Sequence, residues 1–307
     1  MSSASDRFLI ICGAEKAGTT SLYGYLATHP DVRPSIRKET DYFRSPEATL
    51  TGYRACFSAP EREGALCMES SPAYLAEAAQ VAPRMAAVVP QARLVFILRD
   101  PVDRLRSAYR FYQSRLHLPA DMSFDRFATL CLDHEDGRPP PTDLNIQPWH
   151  LGAAARGRYD LLLPHFRAHF DDTRIALVMY PDLQRDAHGT LARLCTFATL
   201  DGAHFSGLAL ARENVSFGVR HRGIQRVAVT VNDSLEGLWR RHPGLKRRLL
   251  ATYKRINAAP LQQDPLGAET LGRLEDYYAP TLVALPQLAS GSSARALSNQ
   301  RDGSTSA

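Results

Sequence analysis

An α/β fold, with a central parallel sheet flanked by helices, is predicted by three observations. Four short apolar runs stand out: FLIICG (8–13), GALCME (64–69), RLVFIL (93–98) and RIALVMY (174–180). None alternates polar with apolar residues, which is the pattern of strands buried on both faces of a parallel sheet. Helical patterns lie between them, so strand and helix alternate along the chain. The first run leads into CGAEKAGTTSL (12–22), a glycine-bounded turn of the kind that wraps a strand-to-helix junction around an anion.

Taken in order, the first run is a strand rather than a leader. Its apolar stretch stops at Gly13 and runs into charge, and no basic segment precedes it. SLYGYLATH (21–29) follows as a helix. MESSPAYL (68–75) passes from the second run into a turn, where Ser71 and Tyr74 either line a site or serve a helix start at Pro72. The third run ends at Arg99, and Pro101 opens a helix to about Leu116. Residues 134–150 are polar and proline-rich and form a loop, with Trp149 and His150 as candidate acceptor contacts. LQRDAHGTLARLCTFATL (183–200) is one helix. The basic stretch 239–255 is partly helical.

The chain of 307 residues suffices for one domain, expected over 1–289, and the Ser/Ala/Gly/Asn-rich tail, 290–307, is expected to be disordered. A net charge of +5 suits an anionic ligand and is too mild to imply nucleic acid. Five cysteines without a C-x-x-C pair argue against a disulfide framework or a zinc site. No run reaches the length of a membrane span, so a cytoplasmic protein is expected.

The loop poses a chemical question. The common nucleotide-triphosphate loop is G-x-x-x-x-G-K-[ST]. Gly13 and Gly18 keep that spacing, but Thr19 holds the lysine's position and Lys16 lies inside the loop. Thr19, Thr20 and Ser21 bring hydroxyls and N–H groups to the first helical turn. A second station, RLVFILRDPVDRLRSAY (93–109), sets Arg99 at a strand end and Ser107 on the helix that follows. An arginine and a hydroxyl at that edge suit a second phosphate. Taken singly, each station is also explained by an ordinary turn, edge arginine or helical serine.

Together, GAEKAGTTSLYGYLATHP and FILRDPVDRLRSAYRFY resemble the sulfotransferases that use 3′-phosphoadenosine-5′-phosphosulfate. The resemblance covers roughly residues 7–201 and lies closer to the saccharide, heparan-type branch than to the cytosolic phenol and steroid branch. It implies a P-loop-like nucleotide-binding fold and a phosphosulfate cradle of Lys16, Ala17, Gly18, Thr19, Thr20 and Ser21. It also implies 3′-phosphate contacts from Arg99 and Ser107. IRKETDYF (36–43) is similar to the K-E-x-x-F-F stretch of the saccharide enzymes and implies Glu39 as general base, with Tyr42 replacing a phenylalanine. A late basic loop around Arg220, Arg222 and Gly223 is implied to close on the donor, with Arg226 an alternative arginine. The family works without a divalent metal, and none is expected. The expected acceptor is a small-molecule or saccharide hydroxyl, less favourably an amine, and lipid and peptide hydroxyls are open as well. Ser70 stands where several saccharide enzymes carry lysine, which weakens the case for an acidic polysaccharide. His117, in HLP, follows the 3′-phosphate motif rather than preceding it and is a coincidence, and His29 is structural. Two other readings remain open: a small-molecule kinase, which would need lysine at position 19 and a Mg²⁺ carboxylate, and a non-catalytic nucleotide- or surface-binding protein.

Overall fold

The structure, a computed structural model, describes residues 6–59, 64–142, 144, 146–208, 218–235, 243–259 and 264–291. These fall into two compact units, one within Met1–Arg104, Ala154–Asn214 and Glu275–Ala307, the other within Leu105–Ala153 and Val215–Leu274.

The first unit is built on a five-stranded parallel sheet: β1 (Arg7–Gly13), β2 (Val32–Pro34), β3 (Leu66–Ser70), β4 (Arg93–Leu98) and β5 (Ile175–Met179), in the order β2-β3-β1-β4-β5. Leu9, Ile10, Ile11, Leu94, Val95, Phe96 and Ile97 are all fully buried. That is why these strands read as continuous apolar runs. One face of β4 meets the helix Tyr159–Arg167, where the rings of Phe96 and Phe166 lie 4.9 Å apart edge to face. Near the start of β1, Phe8 packs on Tyr53 at 5.0 Å, from the helix Leu50–Arg54. All four predicted strands are present. The fifth, β2, is three residues at the sheet edge and ends in Pro34, which an edge strand tolerates.

Three local expectations are corrected. The helix expected over 183–200 is two helices, Tyr180–Arg185 and Ala187–Ala198. Asp186 divides them, because its carboxylate accepts the Gly189 N–H at 2.8 Å and caps the second, a bond worth about 1 kcal/mol. The helix Ala73–Ala76 has no side-chain cap. Ser71 instead donates its hydroxyl to Glu69. Finally, the expected loop from 134 is helical at its start, because the helix Phe124–Glu135, capped by Ser123, reaches into it.

The second unit holds that helix together with Arg222–Ser234, Pro243–Asn257 and a two-residue antiparallel pairing of Gly218–Val219 with Ala258–Ala259. Arg110 pairs with Asp264 at 2.6 Å within it. No helix among the described residues is long and apolar enough to cross a membrane. The expected tail lies, from 292 on, outside the described residues.

Candidate active site

The chemistry-bearing residues of the first unit gather where β1 and β4 end. These strands are neighbours, and the strand order turns to opposite sides of β1, the position at which open α/β sheets bind ligands beyond the carboxyl ends of their strands. The loop leaving β1 is tied to β4 by the Ala14 N–H, which donates to the Ile97 carbonyl at 2.7 Å. Gly13, Lys16 and Gly18 have φ of 142°, 66° and 100°. Gly18 occupies the N-cap of the helix Thr19–Leu26, whose first turn carries no acidic residue and whose start has no side-chain cap. The positive end of that helix is therefore left without a competing carboxylate in its own first turn, the arrangement that suits an anion. Ala17 and Thr19 are buried there, and Thr20 and Ser21 are half-buried.

Gly18 is required twice over. Its φ is left-handed, and a Cβ would sit 2.9 Å from two ring carbons of Tyr180. The same ring lies under the Arg99 guanidinium, 4.9 Å from its centroid. Arg99 follows the last residue of β4, and its carbonyl accepts the Tyr159 hydroxyl at 3.0 Å. Its Nη2 is 3.9 Å from Asp103, a long ion pair. Its Nε is buried and has no hydrogen-bond partner among the described residues.

Lys16 shares this environment. Burial holds its ammonium below the usual lysine range, Glu15 and Glu39 oppose that, and Arg99 and Lys38 push further down. Glu15 forms an ion pair with the buried Arg156 at 3.3 Å, which fixes the loop beside Lys16. Glu39 lies on the segment that follows β2. Its side chain is 54% exposed and pairs with Lys38 at 2.8 Å. The Lys38 carbonyl accepts the Ser70 N–H at 3.1 Å, which anchors the segment to the end of β3. The structure thus brings Lys16, Glu39 and Arg99 into one electrostatic neighbourhood.

The other expected site residues belong to the second unit. Ser107 is half-buried on the helix Pro101–Ser114. Arg220 is exposed, and its N–H donates to the Asn257 carbonyl at 2.9 Å. Arg222 and Gly223 begin a helix where a loop was expected. Trp149 is 42% exposed, whereas His150 is buried with its ring 4.6 Å from Tyr112 and 4.8 Å from His117. In the first unit, His29 is a structural link: Nδ1 accepts the Asp31 N–H at 3.1 Å, so Nε2 donates to the Asp201 carbonyl at 3.0 Å.

Motif reasoning missed Arg156, Tyr180 and Glu69. Tyr180 carried one usable signal, its place just after a predicted strand end. Arg156 and Glu69 carried none, because their partners are distant in sequence.

Residues 6–216 match the family described as "Sulfotransferase domain". Heparan sulfate glucosamine 3-O-sulfotransferase 3B1 of Homo sapiens is 30% identical over 193 residues, covering 62% of this chain and 45% of that protein. Bifunctional heparan sulfate N-deacetylase/N-sulfotransferase 4 of Mus musculus is 25% identical over 187 residues, covering 59% of this chain and 20% of that protein. The chain spans about half the length, or less, of the curated relatives it matches. The crystal structure of a sulfotransferase from Alicyclobacillus acidocaldarius covers 89% of this chain and 95% of its own, at 21% identity and a TM-score of 0.53, a likeness of fold.

Proposed function

The chain belongs to the sulfotransferase domain family, and from that premise we propose that it lies on the saccharide side of the family and moves a sulfuryl group from 3′-phosphoadenosine-5′-phosphosulfate to an acceptor hydroxyl. The carrying observation is the convergence of Lys16 and Arg99 at adjacent strand ends, with a buried Arg99 N–H that an anionic oxygen would satisfy. In the reaction, the acceptor oxygen attacks sulfur in line and the bond from sulfur to the 5′-phosphate oxygen breaks. Glu39 takes the acceptor proton, and adenosine 3′,5′-bisphosphate leaves. Lys16 and the helix start at Thr19 to Ser21 stabilise the charge that develops on the departing phosphate. Arg99 holds the 3′-phosphate, and contacts from Ser107, Arg220, Arg222 and Gly223 rest on the sequence resemblance alone.

A carboxylate held 2.8 Å from the Lys38 ammonium, with its side chain mostly exposed, is placed to reach an acceptor proton and suits the base. The names of the relatives favour a saccharide acceptor, with the 3-O-sulfotransferase pointing to a hydroxyl and the N-sulfotransferase keeping an amine open, and a small-molecule acceptor is the alternative. Among the described residues no cluster of His, Cys, Asp and Glu has metal-binding geometry. The five free thiols support a reducing, cytoplasmic setting.

Calorimetric titration with adenosine 3′,5′-bisphosphate, beside ATP with Mg²⁺, tests the reading. Wild type is expected to bind the bisphosphate in the micromolar range without metal. Arg99→Ala should weaken it about tenfold or more, the loss of a charged hydrogen bond. Preference for ATP with Mg²⁺ would replace the reading with a kinase.

A further inference from the structure

β3 ends in a carboxylate that solvent does not reach. Glu69 is fully buried, and its two oxygens accept four hydroxyl donors. Tyr53 and Tyr74 donate to Oε1 at 3.0 Å each, Ser71 donates to Oε2 at 2.7 Å, and Thr40 also donates to Oε2. Burial, and after it the charge of Glu69, push both phenols well above their ordinary range, so they remain protonated donors.

Three of these hydroxyls also accept consecutive backbone N–H groups. Asp41 N–H donates to Ser71 Oγ at 3.0 Å, Tyr42 N–H to Thr40 Oγ1 at 3.2 Å and Phe43 N–H to the Tyr74 oxygen at 3.3 Å. Asp41 itself sits at φ 52°, so the chain turns sharply there. The turn begins two residues after Glu39, whose mostly exposed side chain pairs with its neighbour Lys38. Glu39 therefore depends on its backbone for its place in the site.

We infer that Glu69 is a positioning residue: through Thr40, Ser71 and Tyr74 it fixes the turn at 41–43 and so aims Glu39 at the acceptor. The inference rests on reading Glu39 as the base. A buried carboxylate is a costly way to stabilise a core, and an apolar group of equal volume would serve stability as well. Its return here is geometric. Four hydroxyls are oriented at one point, and three main-chain donors are set by them.

Glu69→Gln keeps the shape but replaces one acceptor oxygen by an amide donor, so two of the four hydroxyls lose their partner. Hydrogen–deuterium exchange is expected to rise at amides 41, 42 and 43 while β1 and the helix Thr19–Leu26 keep wild-type protection. Adenosine 3′,5′-bisphosphate should bind within about twofold of wild type, because the donor loop is untouched. With heparan sulfate as acceptor probe and labelled donor, kcat should fall about 10- to 100-fold at unchanged donor KM. The double variant with Glu39→Gln should be no slower than Glu39→Gln alone. Ser71→Ala, a milder change, should raise exchange at Asp41 and leave the protein folded. Exchange that rises throughout the unit, or a double variant slower than Glu39→Gln by the full Glu69→Gln factor, would overturn the inference. Wild type that binds no bisphosphate would overturn the sulfotransferase reading instead, and the exchange pattern would still decide whether Glu69 holds the turn.

Discussion

Lys16 is where sequence, backbone and charge meet in one residue. Its position inside the loop, rather than after it, gives it a left-handed φ and a partly buried ammonium. Burial lowers its proton affinity relative to the unfolded value of about 10.4. A bound anion favours the protonated form, so the sign of the linkage is proton uptake on binding at pH values above the depressed one. Bisphosphate titrations in alkaline buffers of differing ionisation enthalpy should show that uptake, and Lys16→Ala should abolish it. The same variant is expected to lower turnover about 10²- to 10³-fold, the scale of removing one preformed donor from a developing negative charge. Absence of uptake in wild type would place Lys16 away from the phosphates.

At the scale of elements, the loop and the helix it opens act as one unit because Gly18 serves both. Gly18→Ala would drive a methyl group against Tyr180 and hold an alanine at φ 100°. A loss of about 1–3 kcal/mol in folding stability is expected from the backbone alone, together with weaker bisphosphate binding. Thermal unfolding and calorimetry on the variant check both, and an unchanged melting temperature would mean that the loop relaxes freely. This element was legible in advance because its signals are local: a strand run, two glycines and a lysine within a dozen residues. The break at Asp186 was less so. An apolar pattern ran through it, and only the cap bond to Gly189 shows that a new helix starts there. β2 was invisible because three residues carry no periodicity.

Across the molecule, the most consequential buried charge is Glu69. Burial raises its carboxyl above the ordinary range, and the four hydroxyl donors pull it part of the way back. The folded state thus binds this proton more tightly than the unfolded chain. From the unfolded value of about 4.3 upward to the folded one, stability contributed by this group falls as pH rises. Urea unfolding of wild type and Glu69→Gln across that range should show wild type losing stability faster toward high pH. A difference that ran the other way would mean that the hydroxyl bonds outweigh burial. No sequence pattern announces such a group. Its donors come from three separate stretches, residues 40, 53 and 71–74, and only folding gathers them. The parallel sheet and the candidate residues Lys16 and Arg99 were legible because motif and strand end coincide, and Glu39 from its K-E motif alone, whereas the partners that hold them in place are long-range.

The Tyr180 ring touches both ends of this arrangement, with Gly18 against its edge and Arg99 over its face. A neutral residue thereby sets the spacing between the loop glycine and the strand-end arginine. A change in length near the end of β5 would be registered at both of them at once. Anyone recombining segments of such proteins would find the junction at 179–180 far less interchangeable than its lack of charge suggests.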